Sequence, residues 1–136
     1  MRIFLDANLL FSAAKADGAG RRLLALVREA GHELCADTYV VEEARRNLAA
    51  KAPDGLGALD TLLPSLRIGP AQLPDAVLAS SVSLPEKDLP VLQSAIRLDC
   101  GVLVTGDRTH FGTLYRQTVQ GVTIHSPASL AKALFS

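Results

Sequence analysis

Short apolar runs alternate with longer amphipathic segments along this chain, and this alternation is what most constrains its fold. Four of the runs are typical of strands: residues 2–5, 33–36, 102–105 and 122–125. The run at 102–105 gives the strongest signal, because it is rich in β-branched residues and lies between two glycines. Strands that alternate with helices predict an α/β fold with a mainly parallel sheet.

The segments between these runs carry apolar residues at helical spacing. They predict helices that begin after Asp6 and near residues 21, 39, 53, 88 and 127. Asp37 and Thr38 are the expected caps of the third of these helices. Residues 77–82 fit either a strand or a helix, and residues 69–74 are typical of a linker.

A chain of 136 residues matches the usual size of one domain, so we expect a single domain over residues 1–136. Hydrophobic residues make up 49% of it, which is typical of a globular protein. No apolar run approaches the roughly 20 residues that a membrane-spanning helix needs. Met1 leads directly into the first strand without a signal-peptide pattern, so we expect a cytoplasmic protein that makes no membrane contact.

Lys and Arg together number 14, and Asp and Glu also number 14. This balance excludes a strongly basic protein held on nucleic acid by its overall charge, so a polyanionic partner would have to meet a local patch of cations. The two cysteines, Cys35 and Cys100, have neither CxxC spacing nor a histidine at ligand spacing. We expect them to be buried hydrophobic residues, and not a disulfide or a zinc site.

Acidic residues follow two of the predicted strands. Asp6 comes directly after the first strand, and Asp107 lies just beyond the strand at 102–105. Asp88 begins the helix that precedes this second strand, and Glu42 or Glu43 lies early on the helix near residue 39. The carboxyl ends of parallel strands share one edge of the sheet, where ligands bind in open α/β folds. We therefore expect these carboxylates to meet at that edge.

Each of the three aspartates also has an ordinary explanation, since an Asp at the start of a helix caps its backbone N–H groups. Capping alone does not gather acids at one edge of a sheet. Clustered carboxylates repel one another unless their pKa values rise or a cation binds. Hard divalent ions such as Mg²⁺ and Mn²⁺ take oxygen ligands, whereas the three histidines are too scattered in sequence for a zinc site.

Other reaction classes lack their motifs. The chain has no GxSxG elbow, no phosphate-binding GxxxxGK[ST] loop and no GxGxxG fingerprint. Metal-assisted hydrolysis fits an acidic edge that has no nucleophile of its own. In that chemistry the metal lowers the pKa of a bound water and neutralises charge on a phosphoryl group.

Four short motifs, in order and spread over the whole chain, resemble the successive motifs of PIN-domain proteins. They are Leu5-Asp6-Ala7-Asn8, Thr38-Tyr-Val-Val-Glu-Glu43-Ala44-Arg45, Lys87-Asp88-Leu-Pro-Val-Leu92 and Leu103-Val-Thr105-Gly-Asp107-Arg108. The resemblance implies a three-layer α/β/α sandwich with a central mainly parallel sheet. It also implies cleavage of single-stranded RNA with Mg²⁺ or Mn²⁺. Many small bacterial members are toxins of type II toxin–antitoxin pairs, so a cognate antitoxin and a homodimer are expected.

Carried over by position, the resemblance makes four carboxylates both catalytic and metal-binding: Asp6, Glu43, Asp88 and Asp107. Glu43 matches better than Glu42, because it lies five residues after Thr38. Asn8 and Thr105 match polar positions beside the metal. Many relatives have a further Asp shortly after the equivalent of Asp107, where this chain has Arg108, Thr109 and His110. A second ion is therefore less expected, and Arg108 and His110 are candidates for supporting roles at the crevice or on phosphate.

Local cations near these acids could hold RNA phosphates while the whole molecule stays neutral. The candidates are Arg21, Arg22, Arg28, Arg45, Arg46 and Arg108. Aromatic residues make up only 4% of the chain, so no stacking platform for bases is evident. One or two bound divalent ions would make the net charge positive by about two to four, so we expect weak RNA binding without metal and a strong dependence on salt.

Two other functions fit the same residues. In a non-catalytic PIN-like or flavodoxin-like module the acids would be helix caps, and an apolar surface would bind another protein. Leucine-rich segments at 21–30 and 56–66 could supply that surface or belong to the core. A receiver-like or phosphatase domain would form an aspartyl phosphate, but Asp6 has no DxD partner.

Overall fold

The computed structural model describes residues 1–136, and it has the α/β architecture predicted from the sequence. The strands are β1 (Arg2–Leu5), β2 (Glu33–Asp37), β3 (Arg67–Gly69), β4 (Val102–Val104), β5 (Thr118–Val119) and β6 (Val122–His125). The helices are α1 (Ala7–Lys15), α2 (Ala19–Glu29), α3 (Thr38–Lys51), α4 (Leu56–Leu62), α5 (Ala76–Ser81), α6 (Leu89–Arg97), α7 (Arg108–Phe111) and α8 (Pro127–Phe135). Short 3₁₀ turns at Pro53–Gly55, Leu63–Ser65 and Gly112–Leu114 flank α4 and follow α7.

The six strands form one sheet in the order β3-β2-β1-β4-β6-β5. All neighbours are parallel except β5 and β6. The chain fills the sheet outward from β1 in one direction and then from β4 in the other, so the order reverses between β1 and β4. Ligands bind at such switch points in open α/β sheets, outside the carboxyl ends of the strands. The order also differs from the 2-1-3-4-5 order of receiver-like folds, which removes the structural support for an aspartyl phosphate.

The core explains why β1 has no alternating pattern. Successive strand residues point to opposite faces of a sheet, yet Ile3, Phe4 and Leu5 are all fully buried. Both faces of β1 are therefore covered by helices, which is the burial expected of a central parallel strand. Helix α1 packs against α2, α3 and α4, and α6 packs against β2 and β4.

Several local predictions are corrected by the structure. The segment 69–74 begins within β3, whose strand signal is weak because Arg67 and Ile68 are exposed at the sheet edge. Residues 77–82 largely form α5, which Asp75 caps through the Leu78 N–H at 2.8 Å. Helix α7 and strand β5 have only four and two residues, too few for a periodic signal.

Two further predictions can be compared with the structure. Cys35 and Cys100 are buried free thiols, as expected. None of the helices combines the length and apolar character that crossing a bilayer would require.

Candidate metal centre

Asp6 lies where β1 ends and α1 begins, and it is almost fully buried. Its Oδ1 accepts a hydrogen bond from the Ala7 backbone N–H at 2.8 Å. Its Oδ2 accepts one from the Thr105 hydroxyl, just beyond β4, at 2.7 Å. Asn8 links the same two segments, because its amide donates to Thr105 Oγ1 at 3.3 Å and its Oδ1 accepts from the Gly106 N–H at 2.8 Å. The ends of the two strands at the switch point are thus joined around one carboxylate.

Asp88, Asp107 and His110 form a second group beside it. Asp107 Oδ1 accepts from the His110 backbone N–H at 3.1 Å and caps α7. This one-turn helix returns the imidazole to the acids, so that His110 Nδ1 lies 2.8 Å from Oδ2 of Asp88 and 2.8 Å from Oδ2 of Asp107. Neither contact has hydrogen-bond geometry, and Asp88 Oδ2 and His110 Nδ1 are buried atoms without a hydrogen-bond partner.

Both groups open into one cleft of about 100 Å³. Its acidic lining consists of Asp6, Glu43, Asp88 and Asp107. Glu43 comes from α3 and is half-buried, whereas Glu42 is exposed and lies outside the lining. Of the four larger grooves elsewhere on the surface, three have no carboxylate in their linings and the fourth has two, Asp75 and Asp99. The four carboxylates named by the sequence motifs therefore converge, although they come from four separate segments of the chain.

The surroundings of these acids raise two pKa values. Burial raises the pKa of Asp6 to about 6, against its hydrogen bonds from Thr105 and Ala7, and the charges of Glu43 and Asp88 raise it further. Burial also raises the pKa of Asp88, and the neighbouring His110 lowers it. Carboxylates that are costly to ionise in one cleft favour a bound cation.

The donor set fits a hard divalent ion. Asp88, Asp107 and His110 offer ligand atoms that all lie within 4.8 Å of one another. Asp88 Oδ2 and His110 Nδ1 lie against each other as buried atoms without a hydrogen bond, and an ion would satisfy both. Carboxylate oxygens suit Mg²⁺ and Mn²⁺.

The supporting residues named from the sequence lie in different places. Asn8 and Thr105 contact each other, and Thr105 bonds to Asp6, whereas Arg108 is exposed on α7 and does not line the cleft. His110, two residues later on α7, contacts Asp88 and Asp107 but also lies outside the lining, so supporting roles for Arg108 and His110 stay predictions.

Sequence reasoning missed three residues of the lining: Tyr39, Asn47 and Lys87. Tyr39 and Asn47 lie four residues before and after Glu43 on α3, on the same helical face. The signal that could have found them is this i, i+4, i+8 spacing through a residue that the motif already identified.

Comparisons with known proteins show which fold this chain shares. No family model matches the sequence, and no curated protein matches it significantly. A chain of VapBC2 from Rickettsia felis, in a structure bound to a fragment of the VapBC2 promoter DNA, superposes with a TM-score of 0.66 at 16% identity, over 93% of this chain and 98% of that one. The sarcin-ricin loop cleaving toxin VapC20 from Mycobacterium tuberculosis gives 0.57 at 12% identity, over 87% and 97%. A chain of FitAB bound to an IR36 DNA fragment gives 0.59 at 17% identity, over 92% and 94%. These neighbours are PIN-domain toxins, and the chain has the three-layer α/β/α fold of the PIN-domain proteins that its motifs resemble.

Proposed function

We propose that this protein is a metal-dependent endoribonuclease that cleaves single-stranded RNA. The observation that carries the proposal is the convergence of Asp6, Glu43, Asp88 and Asp107 on one cleft, beside two buried ligand atoms that have no hydrogen bond. Helix caps alone would not bring four acids from separate segments together. A chain with this fold and this cleft is therefore best explained as a hydrolase that uses Mg²⁺ or Mn²⁺.

The residues of the chain would divide the work as follows. Asp88, Asp107 and His110 would hold the ion with Asp6 and Glu43, and Thr105 and Asn8 would fix the Asp6 carboxylate. The ion would supply a Lewis acid that lowers the pKa of water and neutralises charge on a phosphodiester. Because its Oδ1 is held by the Ala7 N–H and its Oδ2 by Thr105, Asp6 is oriented before any ligand arrives.

RNA is the substrate that the comparisons favour. One structural neighbour is described as a sarcin-ricin loop cleaving toxin. The chain has a formal net charge of zero, so RNA binding requires local positive charge at the cleft. Lys87 lines the cleft, and a divalent ion would add positive charge next to it. We expect binding that is weak without metal and falls steeply with salt.

We further propose that a cognate antitoxin inhibits the protein, and that residues 1–136 act as one domain, in the cytoplasm and as a homodimer. Two of the structural neighbours come from the VapBC2 and FitAB complexes. A groove of about 460 Å³ between α2 and α4 is lined by apolar residues together with Arg21 and Arg28, and by no acid. It fits an amphipathic segment that carries carboxylates. Of the leucines on these helices, Leu23, Leu24 and Leu59 are buried and belong to the core, whereas Leu26 is exposed.

The test is cleavage of an unstructured oligoribonucleotide by the purified protein, freed of any partner and supplied with Mn²⁺. We expect cleavage that EDTA abolishes, and loss of cleavage in Asp6→Asn and Asp107→Asn. Glu42→Gln is the matched control for Glu43→Gln, since Glu42 lies outside the lining. Absence of cleavage, together with equal Mn²⁺ affinity of the wild type and an Asp6→Asn/Asp107→Asn variant in calorimetry, would favour the non-catalytic module.

A further inference from the structure

Apart from the acids, three polar side chains on the lining of the cleft have no hydrogen-bond or ion-pair partner in the protein. They are the Tyr39 hydroxyl, the Asn47 amide and the Lys87 ammonium, which the hydrogen bonds and salt bridges of the structure leave unused. Tyr39 and Asn47 lie two turns apart on α3, with Glu43 between them, and Lys87 precedes Asp88 on the opposite side. The rim of the cleft thus offers donors to something outside the protein.

Asn8 differs from these three residues in its hydrogen bonds. It lines the same cleft, yet its amide and its carbonyl oxygen are both bonded, to Thr105 and to the Gly106 N–H. Among the uncharged and basic side chains of the lining, Asn8 is therefore committed within the site, whereas Tyr39, Asn47 and Lys87 are free. Asn47 is only half-buried and Tyr39 is 36% exposed, so both can reach a ligand without moving a helix.

We propose that Tyr39, Asn47 and Lys87 form a nucleotide subsite beside the metal centre, in which an unpaired base stacks on the Tyr39 ring. This inference rests on the proposed function and adds how the substrate is held. Aromatic rings are sequence-tolerant stacking platforms for unpaired bases. The Asn47 amide carries both a donor and an acceptor and matches the edge of that base. Lys87 binds the adjacent phosphate as a point charge.

The size and position of the cleft select this kind of ligand. A volume of about 100 Å³ is well below that of a usual small-molecule pocket, so a base lies against the rim and not inside the cleft. A base in a duplex has no free face for Tyr39, because its neighbours occupy both faces. The subsite therefore requires single-stranded nucleic acid. The stacked nucleotide would lie next to the carboxylates, because Glu43 is one helical turn from both Tyr39 and Asn47.

The experiment measures stacking without relying on cleavage. A series of oligoribonucleotides, each with a single 2-aminopurine at a different position, is mixed with the Mn²⁺-loaded full-length protein in a stopped-flow instrument. Quenching of the 2-aminopurine fluorescence is read before cleavage. We expect quenching at one position, its loss in Tyr39→Ala with binding about tenfold weaker, and its retention in Tyr39→Phe. Phe135→Ala is the matched control, since Phe135 is an exposed aromatic on α8 outside the cleft. Mn²⁺ affinity should be the same in Tyr39→Ala and wild type, which shows that the variant is folded.

The outcomes separate this inference from the proposed function. An oligonucleotide that is abasic at the quenched position should bind wild type and Tyr39→Ala equally, and Lys87→Ala should reduce the salt slope of binding by about one. Quenching without cleavage would overturn the nuclease and support the subsite. Cleavage by wild type, with equal affinity and equal quenching in Tyr39→Ala, would overturn the subsite and leave the nuclease. Equal affinity for duplex and single strand would also overturn it.

Discussion

Replacing Asp6 with Asn should make the metal-free protein more stable at neutral pH. Burial raises the pKa of Asp6 from 3.8 to about 6, so its contribution to stability is fully present below pH 3.8 and is lost as the pH rises through about 6. The loss amounts to about 1 kcal/mol at pH 4.5 and about 3 kcal/mol at pH 8. Asparagine has no charge to desolvate and still accepts from the Ala7 N–H, but it gives up the acceptor for the Thr105 hydroxyl, which costs about 1 kcal/mol.

The free energy of unfolding of Asp6→Asn should therefore equal that of the wild type at pH 4.5 and exceed it by about 2 kcal/mol at pH 8. Urea unfolding at several pH values in EDTA measures both. Asp75→Asn is the matched control, because Asp75 is an exposed N-cap outside the cleft and Asn caps a helix as well as Asp. Saturating Mn²⁺ should reverse the order by stabilising only the wild type, by about 2.7 kcal/mol at one hundred times the dissociation constant. A variant that is less stable than wild type at pH 8, or an effect independent of pH, would refute the reasoning and leave Asp6 an ordinary cap.

Two further predictions concern Mn²⁺ binding at the cleft, and a third concerns a buried hydrogen bond outside it. Glu43→Gln should lower Mn²⁺ affinity at least tenfold in calorimetry, whereas Glu42→Gln should leave it unchanged; equal effects would remove the distinction between a cleft residue and an exposed one. Mn²⁺ affinity of the wild type should rise with pH through about 6, because the raised pKa of Asp6 makes the ion compete with a proton there, and a flat profile from pH 5 to pH 7 would contradict this. Ser94→Ala should cost about 1–3 kcal/mol in urea unfolding, since it removes the hydroxyl that bonds to buried Asp37 Oδ2, and a neutral effect would show that the bond contributes nothing.

The sequence predicted the central part of the fold better than its edges. Strands β1 and β4 carry apolar residues that are buried on both faces, so their burial and their sequence signal have one cause. Strand β3 lies at the sheet edge and pairs with β2, which is about 30 positions earlier in the sequence. Strand β5 is antiparallel and has only two residues, too few to form a pattern. The segment at 77–82 became a helix because Asp75 caps it, a signal that lies outside the segment itself.

The candidate site shows the same division between local and tertiary causes. Asp6 and Asp107 could be placed at one edge because each follows a central strand, and the motif spacing separated Glu43 from Glu42. His110 was a weaker candidate, since its contact with Asp88 spans 22 positions and depends on a one-turn helix that has no sequence signal. Asn47 and Tyr39 were missed because nothing in the motif extends along α3 beyond the acid.

Capping and cation binding are compatible roles for these aspartates, because a carboxylate has two oxygens. Asp6 and Asp107 each use Oδ1 for a helix N–H, while the Oδ2 of Asp6 accepts from the Thr105 hydroxyl and the Oδ2 of Asp107 lies 2.8 Å from His110 Nδ1. Asp88 precedes α6 without any cap hydrogen bond, and its Oδ2 is buried without a hydrogen-bond partner, so capping does not explain that residue. Aspartate at an N-cap also lies where the helix dipole favours its ionised form, which offsets part of the burial that raises the pKa of Asp6. Asn variants therefore keep the cap and remove the charge, whereas Ala variants remove both, so comparing the two at Asp6 and Asp107 separates the stability of the helices from the chemistry of the cleft.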